Sequence, residues 1–314
     1  MFPSLPNHLR VLAFAMAVAG GPALSARVDA EDVASAAASA STQVSVQSDV
    51  EYGNIDGVSL AMDVALPPSE TRNGAAVMVI HGGGWQGGRR QAHSQEIREL
   101  ARRGYVACTV SYRLAPEHRF PAAVDDCRLA TRFLRQQSEQ YGFEADRIGA
   151  MGFSAGAHLA MMLGVVDPDD GFEPIGGLAD YRSDVQAVVA YFGPTDLAQP
   201  TIPQPAVPIL ENFLGGSREE KLDDYRRASP VQYVDPQDAP MLLFQGTRDP
   251  LVPFDQAVRM ADRMTRENVA GRVELLIGES HGWGGETLQH TREMTLEFLA
   301  EHLGVRNREP SDRR

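Results

Sequence analysis

Gly152-Phe153-Ser154-Ala155-Gly156 sets a serine between glycines at minus two and plus two. A short apolar stretch beginning at Ile148 leads into it, and residues suited to a helix follow it. Strand, sharp turn and helix in that order hold a serine in a strained backbone conformation with its hydroxyl projecting outward. Only tiny flanking residues let the strand and helix pass so close. A hydroxyl displayed this way serves as a nucleophile when a base takes its proton and donors receive the resulting anion. By itself the five-residue pattern also fits a surface turn with a solvent-facing serine, so its context must carry the assignment.

The context includes His81-Gly82-Gly83-Gly84-Trp85, directly after the apolar run at residues 75–80. Glycines at the end of a strand let backbone N–H groups face a substrate with no side chains in the way. The amides of Gly83 and Gly84, with that of Ala155 at a helix N-terminus, are expected to hold the negative oxygen of a tetrahedral intermediate. A phosphate-binding loop is the rival reading. It lacks the Lys-Ser/Thr pair, and Trp85 stands where a helix would have to start.

A base and its orienting acid complete the set. Of eight histidines, His8, His81, His93 and His118 precede the serine, His158 sits on its own helix, and His290 and His302 fall on the last predicted helix. His281 alone occupies a loop after a C-terminal strand, in Glu279-Ser280-His281-Gly282-Trp283. Asp249 lies just past the apolar run at residues 241–245, with Asp196 as competitor in Pro194-Thr195-Asp196, a stretch that reads equally well as a turn or helix cap. Asp255 reads as an N-terminal helix residue. The base must be neutral to work, so hydrolysis is expected to fall on acidification. Trp85 and Trp283 flank the site in sequence, as candidates for a substrate pocket or for ordinary packing.

These residues need a scaffold that gathers them at one edge. From residues 44–50 onward, partly alternating runs culminate in residues 58–66, closed by Pro67-Pro68, which reads as a second antiparallel edge strand. Buried strands are then predicted at residues 75–80, 105–110, from Ile148, and at 185–192, 241–245 and 273–277. Helices are predicted at 94–103, from Phe120 or Pro121 to about Tyr141, behind Ser154, and at 255–267 and 285–303. Apolar strands alternating with amphipathic helices imply right-handed crossovers, hence a mostly parallel, doubly wound α/β sheet covered on both faces. Residues 193–234 break the alternation, with five prolines from Pro194 to Pro208 and then a charged stretch at 217–227. Their length points to a partial lid over the site or a peripheral excursion.

With 314 residues and 43% apolar content the chain can bury a substantial core, and a single domain over residues 44–304 suffices. The formal charge of −13 argues against nucleic acid and anionic membrane surfaces as partners. Arg89-Arg90 and Arg102-Arg103 read as solvated pairs. Residues 1–30 resemble an export signal, with Arg10 as its positive part and an apolar run at residues 11–19 too short to span a bilayer. Cleavage after Ser25 or Ala30 fits equally well, and a retained apolar tail is the rival reading. A linker is expected at residues 31–43 and a polar tail at 305–314. Export would place the protein in the periplasm or outside the cell. Cys108 and Cys127 read as separately buried thiols, and their count and spacing make no metal site. Nothing in the sequence sets an oligomeric state.

The chain from about Val44 to Leu303 resembles the α/β-hydrolase superfamily. His81-Gly-Gly-Gly-Trp85, Tyr112-Arg-Leu-Ala-Pro-Glu-His118, Phe120-Pro-Ala-Ala-Val-Asp-Asp126 and Gly152-Phe-Ser-Ala-Gly156 are similar to the hormone-sensitive-lipase-like esterases. Phe213-Leu-Gly-Gly-Ser217 and Ala228-Ser-Pro230 resemble the bacterial feruloyl-esterase and acetyl-xylan-esterase-like (BD-FAE-type) branch. The resemblance implies Ser154 as nucleophile, His281 as base, Asp249 as orienting acid, and Gly83, Gly84 and Ala155 as oxyanion donors. It also implies no cofactor or metal, and a small-molecule or carbohydrate ester as substrate. Lipase-like members carry a helical N-terminal cap where this chain runs from linker into strand, which argues against a closed lipid site. An arylformamidase-like amide hydrolase, an exported peptidase and a catalytically inactive binding module are the alternatives. The last conflicts with the intact serine, histidine and glycine loop.

Overall fold

The computed structural model describes residues 43–305. The expected signal, all but the last residue of the linker and all but the first of the tail lie outside them. Among the described residues eight strands form one sheet: β1 (Ser45–Ile55), β2 (Val58–Leu66), β3 (Ala76–Ile80), β4 (Val106–Val110), β5 (Ile148–Phe153), β6 (Ala187–Tyr191), β7 (Met241–Gly246) and β8 (Gly271–Leu276). Their spatial order is β1-β2-β4-β3-β5-β6-β7-β8. The first two pairings are antiparallel and all the others parallel.

β1 and β2 form a hairpin whose ends meet at Ile55 and Val58. The two residues between them, Asp56 and Gly57, both have positive φ, the mirror-image turn that matches strand twist. β2 is not the edge strand its alternating pattern implied. It pairs with β4 on its other side, and β1 takes the edge. The unbroken run of buried residues from Met62 to Ala65 is the trace of that interior place.

Every residue of β3, β4 and β6 is buried, as both-face burial of a parallel sheet requires. The period of two sorts them: Ala76, Met78 and Ile80 join one core layer, Val77 and Val79 the other. On the first face lie α2 (Ala122–Gln136), α4 (Ala155–Val165) and α7 (Asp255–Arg266); on the second lie α1 (Ser94–Arg102) and α8 (Gly285–His302). A short turn of helix, α3 (Ser138–Tyr141), follows α2, so the long helix expected to Tyr141 is divided at Gln137 before Gly142 ends it. All eleven residues of α4 are buried, because α4 has the sheet on one side and the excursion after β6 on the other.

That excursion contains α5 (Val207–Leu214) and α6 (Leu222–Arg227) and is anchored by buried Leu197, Leu210, Phe213, Leu214 and Tyr225. It is part of the packed body along one side of the site. Arg90 departs from the solvated pair expected with Arg89. It is buried, donates to Asp63 (3.0 Å) and Ser111 (2.9 Å), and also pairs with Asp49. A buried guanidinium needs such partners, and they come from β1, β2 and the end of β4. Arg102 and Arg103 are exposed. Cys108 and Cys127 are buried, unpaired thiols, and burial pushes Cys108 up to about 12. No helix among the described residues is long and apolar enough to cross a membrane.

Candidate active site

β5 ends at Phe153, α4 starts at Ala155, and Ser154 between them has φ 54° and ψ −119°. A side-chain-bearing residue there costs of order 1–3 kcal/mol, a strain that persists only where the surroundings over-determine it. Those surroundings are backbone: a Cβ on Gly152 would stand 2.1 Å from the Gly156 oxygen, and one on Gly156 would stand 2.2 Å from the Ile80 oxygen. The Ser154 amide donates to the Tyr191 carbonyl of β6 (2.9 Å), which ties the turn to the next strand.

The Ser154 hydroxyl lies 2.8 Å from His281 Nε2, and His281 Nδ1 lies 2.7 Å from Asp249 Oδ2. The Asp249 carboxylate, fully buried, takes two more bonds at Oδ1 from the amides of Leu251 and Val252 (each 2.9 Å) and one at Oδ2 from Gln245 Nε2 (3.1 Å). A carboxylate only accepts, so Nδ1 carries the proton and Nε2 is left free to accept the serine proton. The three side chains come from the ends of β5, β7 and β8, all at the carboxyl edge of the sheet. Asp196 does not meet His281; its carboxylate lies 3.7 Å from Arg259. Asp255 opens α7 and pairs with Arg259 at 3.3 Å.

Sequence reasoning missed Gln245. It is a buried amide at the end of an apolar strand, and it bonds both Asp249 and the Val252 carbonyl (2.7 Å), locking the acid's loop. The signal that could have found it is the run Met241-Leu-Leu-Phe-Gln245, where a buried polar residue demands a partner. Gln256 does the same for the loop after β6: its Oε1 accepts from the amides of Thr195 and Asp196, each at 2.7 Å.

The glycine loop after β3 presses on the serine turn. A Cβ on Gly82 would stand 2.7 Å from the Phe153 oxygen, and Gly83 and Gly84 have φ of 122° and 60°. Gly83, Gly84, Ser154 and His281 face one cavity of about 420 Å³. Its other walls are largely apolar, from Leu197, Ile202, Ala206, Ile209 and Leu210 of the excursion and Leu251 to Pro253 beyond the acid. Ala155 is the first residue of α4 and is buried.

Trp85 borders this cavity, buried, with its ring stacked on Phe213 (4.2 Å between centroids). Its indole N–H donates to His158 Nδ1 (3.2 Å), and His158 Nε2–H in turn donates to the Ala228 carbonyl (2.7 Å). Burial lowers His158 to about 4, so the neutral ring that pins the glycine loop to α4 is the stable form. Trp283 is not the pocket residue its place in the sequence suggested. It packs behind Phe192 at 5.2 Å, bonds Thr291 and lies off the cavity wall, because the chain turns into α8 directly after it. His81 stacks on Tyr112 at 4.3 Å and is held below its ordinary value by burial, a packing role. Among the described residues no group of three or more His, Cys, Asp or Glu side chains could hold a metal ion.

Residues 62–264 match the BD-FAE family. The chain is similar to a protein named probable carboxylic ester hydrolase LipM of Mycobacterium tuberculosis (strain ATCC 25618 / H37Rv), 28% identical over 81% of this chain and 60% of that protein. It is similar to esterase LipQ of the same strain, 30% identical over 82% of this chain and 62% of that protein. The chain thus spans about three fifths of the length of these relatives. Among solved structures, a truncated carbohydrate esterase from gut microbiota superposes with TM-score 0.74 over 84% of this chain and 98% of that one at 24% identity, a likeness of fold. A propionate-bound thermophilic esterase of Thermogutta terrifontis gives TM-score 0.71 at 25% identity, over 86% and 98% of the two chains.

Proposed function

The chain belongs to the BD-FAE family, and on that premise we propose that it is an exported serine carboxylesterase hydrolysing short-chain acyl or carbohydrate-linked acetyl or feruloyl esters. The observation that carries this reading is the hydrogen-bonded row Ser154–His281–Asp249 facing a largely apolar cavity. His281 Nε2 takes the Ser154 proton as the oxygen attacks the ester carbonyl. The imidazolium that forms is stabilised by buried Asp249, which is already held by three other donors. The carbonyl oxygen, now negative, is received by the amides of Gly83, Gly84 and Ala155, each worth on the order of 3 kcal/mol of barrier. His281 returns the proton to the leaving alcohol, and an acyl-Ser154 remains. Water then attacks, activated by the same ring, and the acid leaves.

The apolar walls at Ile202, Ile209, Leu251 and Val252 favour an acyl chain on the substrate. Solved structures of the Thermogutta terrifontis esterase hold propionate and butyrate, which supports short chains here. The resemblance of residues 1–30 to a signal supports export. Replacement Ser154→Ala should lower kcat on p-nitrophenyl acetate by on the order of 10⁵-fold or more, with an unchanged thermal melt and no labelling by a fluorophosphonate probe. Retained turnover would remove Ser154 from the nucleophile's place. Acetylated xylan, feruloyl esters and p-nitrophenyl esters of graded length, assayed side by side, then separate the acyl groups.

A further inference from the structure

The cavity that Ser154 and His281 face has five other polar side chains in its wall: Trp85, Gln86, Asp196, Gln199 and Gln256. Four of them are engaged by the protein. Trp85 donates to His158, and the half-buried Gln86 accepts at Oε1 from Asn212 Nδ2 (2.8 Å). Asp196 accepts from the Ala198 amide (3.2 Å) and lies beside Arg259. Gln256 holds Thr195 and Asp196 through Oε1, and its Nε2 donates to the Asp196 carbonyl (3.1 Å). Gln199 is the exception. It is 8% exposed, and its side chain makes no hydrogen bond among the described residues. Burial without a partner is rare for an amide, which gives up its bonds to water on folding. The side-chain atoms both closed off and unpartnered are His93 Nδ1 and Arg132 Nε. Neither end of the Gln199 amide is among them, so both ends reach open space, and the space Gln199 lines is the cavity.

We propose that Gln199 selects the substrate by hydrogen-bonding a hydroxyl that the ester carries away from its reacting carbonyl, an inference that rests on the hydrolase reading above. An amide presents one acceptor and two donors, and a hydroxyl, which both donates and accepts, can use both kinds. A neutral amide supplies no counter-charge, so an uncharged polar group is its match. The backbone that carries Gln199 is held on both sides. The Leu197 amide donates to Ser229 Oγ (2.8 Å), the Ala198 carbonyl accepts from Arg218 Nε (2.8 Å), and Pro200 fixes φ directly after. A group held this way loses little freedom when it binds. In a largely apolar wall, one such group decides which substrate fits: an ester with the hydroxyl satisfies the amide, and one without it leaves the amide unpaired. The hydroxyl can belong to the acyl part or to the alcohol part, and the two arms of the test separate them.

The test measures kcat/KM of the full chain on two matched pairs of esters, with and without Gln199→Met, which keeps the side chain's length and removes its amide. Methyl 4-hydroxycinnamate against methyl cinnamate puts the hydroxyl on the acyl part. A xylose monoacetate against cyclohexyl acetate puts hydroxyls on the alcohol part. The native chain should favour the hydroxylated member of at least one pair, and Gln199→Met should cut that preference about tenfold. The pair that responds tells which part of the ester meets Gln199. Should Gln199→Met melt early, Gln199→Leu repeats the measurement. A native chain with no preference in either pair would overturn the inference. So would a preference that the replacement leaves unmoved because both members of a pair lose equally, the mark of a purely structural role. The hydrolase reading stands or falls separately, on whether the native chain hydrolyses p-nitrophenyl acetate.

Discussion

The serine and the histidine that meet across 2.8 Å are held by opposite means. On the serine side there is no space: Gly152, Gly156 and Gly82 each lie so close to a neighbouring backbone oxygen that a Cβ would come within 2.1 to 2.7 Å of it. On the histidine side there is space to spare: an added Cβ on Gly278, Gly284 or Gly285 would meet nothing within 4 Å. The serine turn is fixed by close-packed backbone, whereas the histidine loop is fixed at a few points. Chief among them are the bond from Nδ1 to Asp249 and the approach of Ser280 to Gly246, where a Cβ would stand 2.4 Å from the Ser280 oxygen. The proposed nucleophile must keep one strained geometry, and packing supplies that. The proposed base has to exchange protons with two partners, and a hydrogen-bonded hinge suffices.

The sharpest way to break this comparison is Gly156→Ala. The new methyl has backbone on every near side and nothing flexible to displace, so a loss of about 3 kcal/mol of stability is expected, together with loss of hydrolysis. Denaturant melts and esterase assays on the same preparation check it, and a stable, active variant would mean the turn has slack that its contacts do not show.

A comparable or smaller effect is expected from pH on the serine side. The folded His158 binds its proton only near pH 4 while an unfolded chain's histidine binds one near about 6.5. Between those values the unfolded chain takes up a proton that the folded one refuses. This stability is therefore full above about 6.5 and is lost as pH falls toward 4, about 3 kcal/mol in all. Asp238 and Asp125, raised by burial to about 7 and 6, act in the opposite direction, so the measurement is a difference. Melts of the native chain and of His158→Asn at about pH 7 and pH 4.5 should show a steeper acid loss in the native chain. Equal slopes would mean that His158 carries no such burden.

Gly284→Ala should have the smallest effect. Its φ of −138° suits any residue and its surroundings are open, so a change within about 1 kcal/mol and near-native turnover are expected. A large loss would show that the histidine loop is packed as tightly as the serine turn after all.

Much of this was legible in the sequence. The serine turn and the glycine loop are constraints within five residues, and such constraints survive in any tertiary setting. The parallel strands showed as unbroken apolar runs for the same reason. Less legible were the features that depend on a distant partner. The pattern of β2 placed it at an edge because alternation reports one-sided burial, not the number of neighbours. Arg90 looked solvated because its partners, Asp49, Asp63 and Ser111, lie on other strands or at their ends. Trp85 and Trp283 looked alike because adjacency in sequence to a loop of the candidate site says nothing about which way an indole turns.

The chain by itself therefore determined the kind of fold, the serine turn and the order of the three residues that meet at the sheet's carboxyl edge, since each is written in local spacing and period. Only the folded molecule decided that Asp249 rather than Asp196 reaches His281, that Gln245 locks that acid, and that the excursion after β6 walls the cavity. These depend on strand register and on groups as far as 127 residues apart coming within a few ångströms, which no local pattern encodes.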